Sequence, residues 1–184
     1  PSLQSIDHEE KVIYLGTFSK SIAPSLRISY MVLPLHLLKK YQESCSFYST
    51  TVSKIQQEVL REFIRGGYFG RHLNKMRGIY KNKHDFLVGE LKKKNWVENI
   101  AGDNAGLHVL VQVNTTLTEE EICKKAAECG IRLMGIREHY IHTPPEGRPV
   151  LLLGYGKPDE QEIQKGLEVL ESIVLENRIP LPLR

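Results

Sequence analysis

Three scarcities narrow the field before any motif is considered. Only three cysteines occur in 184 residues, Cys45, Cys123 and Cys129. Their number is odd, no CxxC spacing exists and each sits in an otherwise helical pattern, which points away from a disulfide framework or a zinc site and toward reduced thiols in a cytoplasmic protein. The longest apolar run falls far below the roughly 20 residues that cross a bilayer, and the N-terminus has no succession of basic, apolar and small-residue regions like a signal peptide. No membrane partner is expected. Charge of one sign is also scarce: Lys and Arg number 25 against 22 Asp and Glu, a net +3, too little to argue for nucleic acid. The run Lys92-Lys93-Lys94 reads as a helix end rather than a DNA grip. No internal repeat or low-complexity tract is visible.

What is present is an ordinary globular composition, 41% hydrophobic and 26% charged, with one chemically informative segment. Val12, Ile13, Tyr14 and Leu15 form a short apolar, β-prone run bounded by Gly16, which suits a strand buried on both faces. A turn rich in hydroxyls follows, carrying Thr17, Ser19, Lys20 and Ser21, with Arg27 seven positions past the lysine. A lysine amine beside a buried strand suits Schiff-base chemistry with an aldehyde, the hydroxyls are donors, and an arginine offers a planar fork for a phosphate dianion. A cofactor that needs an amine and a phosphate cradle a few ångströms apart is pyridoxal 5'-phosphate (PLP). The competing reading is a solvated surface lysine after a strand and a Ser/Thr cap.

The stretch Tyr14-Leu15-Gly16-Thr17-Phe18-Ser19-Lys20, continued by Pro24 and by Leu26-Arg27-Ile28-Ser29-Tyr30-Met31-Val32-Leu33-Pro34, closely resembles the Schiff-base lysine region of fold-type I PLP aminotransferases. More narrowly, it resembles the aminotransferase-like domain of MocR-type regulators of the GntR family. Phe47 to Ser53 with Gln56, Gly67 to Arg77 with Tyr80, Ala105 to His108 and Leu151 to Gly156 resemble further segments of that family, in the family's order. The resemblance implies Lys20 as the cofactor lysine and, in an active transaminase, the base at the substrate Cα. It also implies Thr17 and Arg27 as phosphate ligands, with Ser19 as a further candidate. Thr50, Thr51 and Ser53 resemble positions that reach toward a dimer partner's cofactor, or they cap the next helix.

The expected fold is α/β: the C-terminal portion of a fold-type I aminotransferase-like fold, comprising a remnant of the large domain and a small α/β domain. Residues 1–67 are expected to form the remnant, 68–95 a long connecting helix and 96–184 the small domain. Within these, Ile28 to Leu33 reads as a strand, Pro34 to about Cys45 and Thr51 to Ile64 as helices, and Gly66-Gly67 as a stop. Tyr68 to about Lys94 is expected to turn Leu73, Met76, Ile79, Phe86, Leu87 and Leu91 inward. Strands are expected over Leu107 to Val113, Ile131 to Ile136 and Val150 to Tyr155. The helices between and after them begin at a Thr118–Glu121 capping box and at Pro158; Glu138 to Arg148 reads as a loop.

His108 is expected to be a packed core histidine, and His139 and His142 to be solvated rather than metal-bound. Arg132, Arg137 and Arg148 could meet a carboxylate ligand, but the favoured reading for each is a surface charge. Many fold-type I aminotransferases carry a carboxylate-binding arginine in a pattern resembling Leu-Arg-Leu-Gly-Phe; here the matching stretch places Leu152 at that position. A leucine makes no bidentate ion pair, which weakens the case for α-amino-acid transamination.

The resemblance therefore implies a PLP- and effector-binding, dimerising part of a MocR-type regulator, homodimeric, taking a small amine or amino acid. DNA would be bound only by an N-terminal winged-helix domain outside this chain. The family's aspartate for the pyridine nitrogen and its ring-stacking aromatic residue have no counterpart here, so the chain is expected to be part of a longer protein. The alternatives are a PLP-dependent aminotransferase acting on amino acids, for example 2-aminoadipate or aromatic ones, and a dimerisation scaffold without cofactor.

Overall fold

The computed structural model describes residues 2–103, 106–143 and 146–177; Ala105 and the two prolines of the 138–148 loop, Pro144 and Pro145, lie outside them. The chain divides into two compact units, residues 1–76 and 77–184, joined through one helix.

In the first unit, β1 (Tyr14–Thr17) and β2 (Ser29–Val32) pair antiparallel, with Tyr14 opposite Val32 and Thr17 opposite Ser29. Between them lie the single-turn α1 (Phe18–Ser21) and a 3-10 turn, Pro24–Leu26. Then come α2 (Leu35–Cys45), which begins directly after Pro34 as expected, and α3 (Lys54–Arg65). Ser53 caps α3 by accepting from the Gln56 N–H at 3.2 Å, which moves its start three residues past Thr51. Gly67, at φ 71°, ends it in the left-handed conformation that favours glycine. The expectation of a strand buried on both faces is corrected here. Burial alternates along β1 between half-buried and exposed, and Leu15 is 70% exposed. In a two-stranded sheet both strands are edges, and β1 pairs with β2 alone.

The second unit holds the core. The helix α4 (Tyr68–Lys92) enters it with Leu87, Val88 and Leu91 buried; Ile79, expected inward, is exposed. A sheet of order β3-β4-β6-β5 follows, all neighbours antiparallel: β3 (Val97–Ala101), β4 (His108–Val113), β5 (Met134–Gly135) and β6 (Val150–Gly154). Val109, Val111 and Val113 on β4 and Leu151 and Leu153 on β6 fill one face at a period of two. Against them pack Ile122 and Ala126 of α5 (Glu119–Glu128) and Ile163, Leu167, Leu170, Ile173 and Val174 of α6 (Glu160–Leu175), spaced for one helical face. Each of these Val, Leu and Ile side chains contributes about 1.5–3 kcal/mol by leaving water. Capping boxes at Thr118–Glu121 and Asp159–Glu162 set both helix starts.

Two strands differ from expectation. Only Met134–Gly135 of the Ile131–Ile136 run pairs, because residues up to Ile131 close α5: Gly130 adopts φ 78° and the Ile131 N–H reaches the Ala126 carbonyl at 2.8 Å. The strand Val97–Ala101 escapes sequence periodicity, since its register shifts between Val97 and Asn99 and breaks the alternation.

Candidate functional site

Thr17, Ser19, Lys20 and Arg27, the residues singled out by sequence, share one connection between β1 and β2. That connection closes on a single acceptor. The Ile28 carbonyl receives the Phe18 N–H at 2.9 Å and the Thr17 hydroxyl at 3.2 Å, pinning both ends of residues 18–28. Inside it, the Thr17 oxygen accepts from the Ser19 N–H at 3.2 Å, the Ile22 N–H reaches the Phe18 carbonyl at 2.8 Å, and the Ser21 hydroxyl reaches the Thr17 carbonyl at 3.4 Å. Arg27 sits at φ 50°, in the left-handed region. This conformation costs a non-glycine residue about 1–2 kcal/mol and gathers at binding sites. It turns the chain back so that Ile28, 6% exposed, can bury and close the loop.

The loop's chemistry is one-sided. From Thr17 to Ser29 the sequence contains no acidic residue. Lys20 and Arg27 are exposed, and neither has a hydrogen-bond or ion-pair partner among the described residues. Two unneutralised cations with serine hydroxyls on a pinned loop suit an anion bearing an amine-reactive group, so this donor set fits PLP. Thr17 fits less simply, because its one O–H is given to Ile28 and its oxygen caps α1.

Sequence reasoning missed the aromatic wall beside this loop. Tyr30 stands opposite Gly16 in the β1–β2 register, and its ring lies within 5.1 Å of the Phe18 ring and 6.0 Å of the Tyr14 ring, centroid to centroid. Phe18 in turn meets Phe69 of α4 edge-on at 5.9 Å. A hydrogen bond with Tyr14, then burial, pushes the Tyr30 phenol above its usual value. The available signal was a glycine in a strand, which marks close approach of a neighbour.

In the second unit, a cavity of about 1000 Å³ is lined by Thr118, Glu119, Cys123, Gly135, Arg137 and Arg148 among others. Two of its lining charges, Glu119 and Arg148, are engaged within the fold. The Glu119 carboxylate, 4% exposed, accepts the Arg137 N–H at 2.8 Å and the Val150 N–H at 2.9 Å. Arg148 pairs with Glu98 at 3.0 Å and with the Asn114 side chain, so it is half-buried and engaged rather than a free surface charge. Burial pushes the Cys123 thiol up, away from the reactive thiolate. Arg132 is exposed, as are His139 and His142, and the described residues contain no cluster of three metal-ligating side chains. His108 is exposed at the start of β4, correcting the packed-core expectation: its neighbour Val109 takes the inward place, and alternation sends His108 to the other face. Leu152 lies half-buried in mid-β6 opposite Leu110 and Met134; that row holds no guanidinium. Thr50 and Ser53 are engaged locally, Thr50 with Val52 and Ser53 as the α3 cap.

Among the described residues no helix is long and apolar enough to cross a membrane. Comparison with known proteins bears on the remaining question of kinship. The family model for aminotransferase class I and II matches residues 2–163. The chain is 39% identical, over 94% of its length, to the uncharacterized HTH-type transcriptional regulator YdeL of Bacillus subtilis, and 30% identical over its whole length to the probable rhizopine catabolism regulatory protein MocR of Rhizobium meliloti; it covers 37% of each relative. Thus it spans little more than a third of these curated relatives. Among solved structures it is similar to the multiple substrate aminotransferase from Thermococcus profundus (TM-score 0.78, 23% identity, 93% of this chain and 42% of that one). It is also similar to the kynurenine aminotransferase of Pyrococcus horikoshii (TM-score 0.75, 24% identity, 94% and 43%). With that fold, and with regulators of the MocR type matching it nearly end to end, the chain belongs to the aminotransferase class I and II family.

Proposed function

We propose that this chain is the PLP-holding, effector-binding and dimerising part of a MocR/GntR-type transcription regulator. The observation that carries the proposal is the acid-free loop of residues 18–28, pinned at Ile28 and presenting Lys20 and Arg27, cations without a partner among the described residues; the similarity to HTH-type regulators supports the regulatory half. When bound, PLP supplies an electrophilic carbonyl that condenses with amines. Lys20 would hold that carbonyl carbon through Nζ. Arg27 would hold the phosphate with its guanidinium, assisted by the Ser19 hydroxyl and by Thr17, whose O–H must leave Ile28 to donate. A small amine or amino-acid effector would displace Lys20 and free its ammonium.

On this reading residues 1–67 belong to a larger PLP-binding domain, 68–95 form the connecting helix and 96–184 the small domain of a cytoplasmic homodimer. DNA contact then falls to an N-terminal domain outside this chain. The alternative is a PLP-dependent aminotransferase acting on amino acids, such as 2-aminoadipate or aromatic ones. Leu152, held in an apolar row, is the observation that disfavours it.

The discriminating experiment uses the full-length protein that carries this chain. DNA retardation is measured with and without PLP and a panel of amines, beside keto-acid formation from the same amines and 2-oxoglutarate. An amine- and PLP-dependent change in DNA binding without steady turnover is expected. Steady turnover with no DNA binding would establish the enzyme instead.

A further inference from the structure

We infer that Tyr30 is a positioning residue for the Lys20 turn, gripping the chain on both sides of Thr17. The inference rests on the reading of Lys20 as the cofactor lysine and adds the device that aims it. Directly opposed residues of an antiparallel pair share a face. Tyr30 faces Gly16 in the register, and the missing side chain lets the ring settle against the backbone. A Cβ at residue 16 would stand 2.7 Å from Tyr30 Cε1, with the ring's ζ carbon and hydroxyl nearer still; real Cβ atoms do not come so close. The same ring meets Phe18, the first residue of α1, at 5.1 Å with the planes 40° apart. Gly16 and Phe18 flank Thr17, and Lys20 is two residues further on. One aromatic side chain therefore fixes both the exit of β1 and the entry of the turn.

Two further contacts steady the ring. Tyr14, on the same face as Gly16, lies 6.0 Å from the Tyr30 ring, centroid to centroid. Phe69 backs Phe18 at 5.9 Å. Tyr30 remains 40% exposed and lies outside the packed core. Its task is consequently local: it holds the backbone from which Lys20 projects.

The test uses Tyr30→Phe, Tyr30→Ala and Gly16→Ala in the full-length protein, with PLP as the probe. Two quantities are measured: the PLP dissociation constant and the induced circular dichroism per bound PLP at saturation, which reports the orientation of the held ring. Tyr30→Ala and Gly16→Ala are expected to weaken retention about tenfold, the scale of losing aromatic contacts, and to change the induced signal. Tyr30→Phe, which keeps the ring and loses only the hydroxyl, is expected within about threefold of wild type with an unchanged signal. A purely structural role would lower melting temperature and leave the saturated signal untouched. Wild-type affinity and wild-type induced signal in either Gly16→Ala or Tyr30→Ala overturn the inference while leaving Lys20 in place. Failure of the wild-type protein to take PLP on Lys20 removes the underlying reading and the inference together.

Discussion

A single hydroxyl hydrogen limits what Thr17 can offer a ligand, because it is already given to Ile28. On the proposed reading, that leaves Arg27 as the chief phosphate donor on the loop. Arg27→Ala is therefore expected to weaken PLP retention by about 1.5–3 kcal/mol, or about 10- to 150-fold. Arg137→Ala, on the other unit beside Glu119, should leave retention unchanged; equal dissociation constants for the two variants would remove Arg27 from the site. The grouping of Thr17, Ser19, Lys20 and Arg27 was legible in sequence because they lie on one short connection, where order along the chain is nearly order in space. Tyr30 was not, since its contact with Gly16 exists only once the register of β1 against β2 is known. Glu119 was equally hidden: its partners, the N–H groups of Arg137 and Val150, are 18 and 31 residues away.

Elements with clean periodicity were readable, while those interrupted by local closure were not. The helices starting after Pro34 and Thr118, the closing helix read from Pro158 and the strands around Val111 and Leu151 followed from spacing and caps. The bulged β3 and the two-residue β5 were masked by a register shift and by the Gly130 turn. Core position should dominate cost. Leu151, fully buried in β6, is expected to lose about 2–5 kcal/mol on change to Ala. Leu15, 70% exposed on β1, should lose less than about 0.5 kcal/mol in this isolated chain, and more in the full-length protein if further elements cover that sheet there. Urea midpoints for both variants in both proteins check this, and a silent Leu15→Ala in the full-length protein would show the β1–β2 face uncovered.

The tie between the end of α4 and α6 gives a pH test at the same scale. The Glu171 carboxylate accepts from Lys94 Nζ at 2.8 Å and from the Trp96 indole N–H at 3.1 Å. The Lys94 bond leads in holding the Glu171 carboxyl below its usual value, against burial. A lowered carboxyl stabilises the fold fully above its unfolded value, and that contribution fades as pH falls through the folded one. The melting-temperature advantage of wild type over Glu171→Gln should thus be steady above about pH 5.5 and shrink progressively in acid. An advantage that persists unchanged at low pH would contradict the role of Lys94.

At the scale of the whole molecule, stabilisation and chemistry are separated. The packed core belongs to residues 77–184, whereas the cation-bearing loop belongs to the first unit, where Ile28 and Pro34 are the buried residues among those described. Large apolar side chains such as Phe47, Tyr48, Ile55 and Val59 are exposed there, an arrangement that suits burial against more protein. The isolated chain is accordingly expected to hold PLP weakly, because on the proposed reading Lys20 and Arg27 would fix only the carbonyl and phosphate ends, with no described element assigned to the ring between them. The most direct measurement is borohydride reduction of PLP-treated protein followed by peptide mapping, on the full-length protein and on this chain alone. The expected result is a stoichiometric cofactor label on Lys20 in the full-length protein, lost in Lys20→Ala, with little label on the isolated chain. A label on another lysine, or none in the full-length protein, would contradict the account.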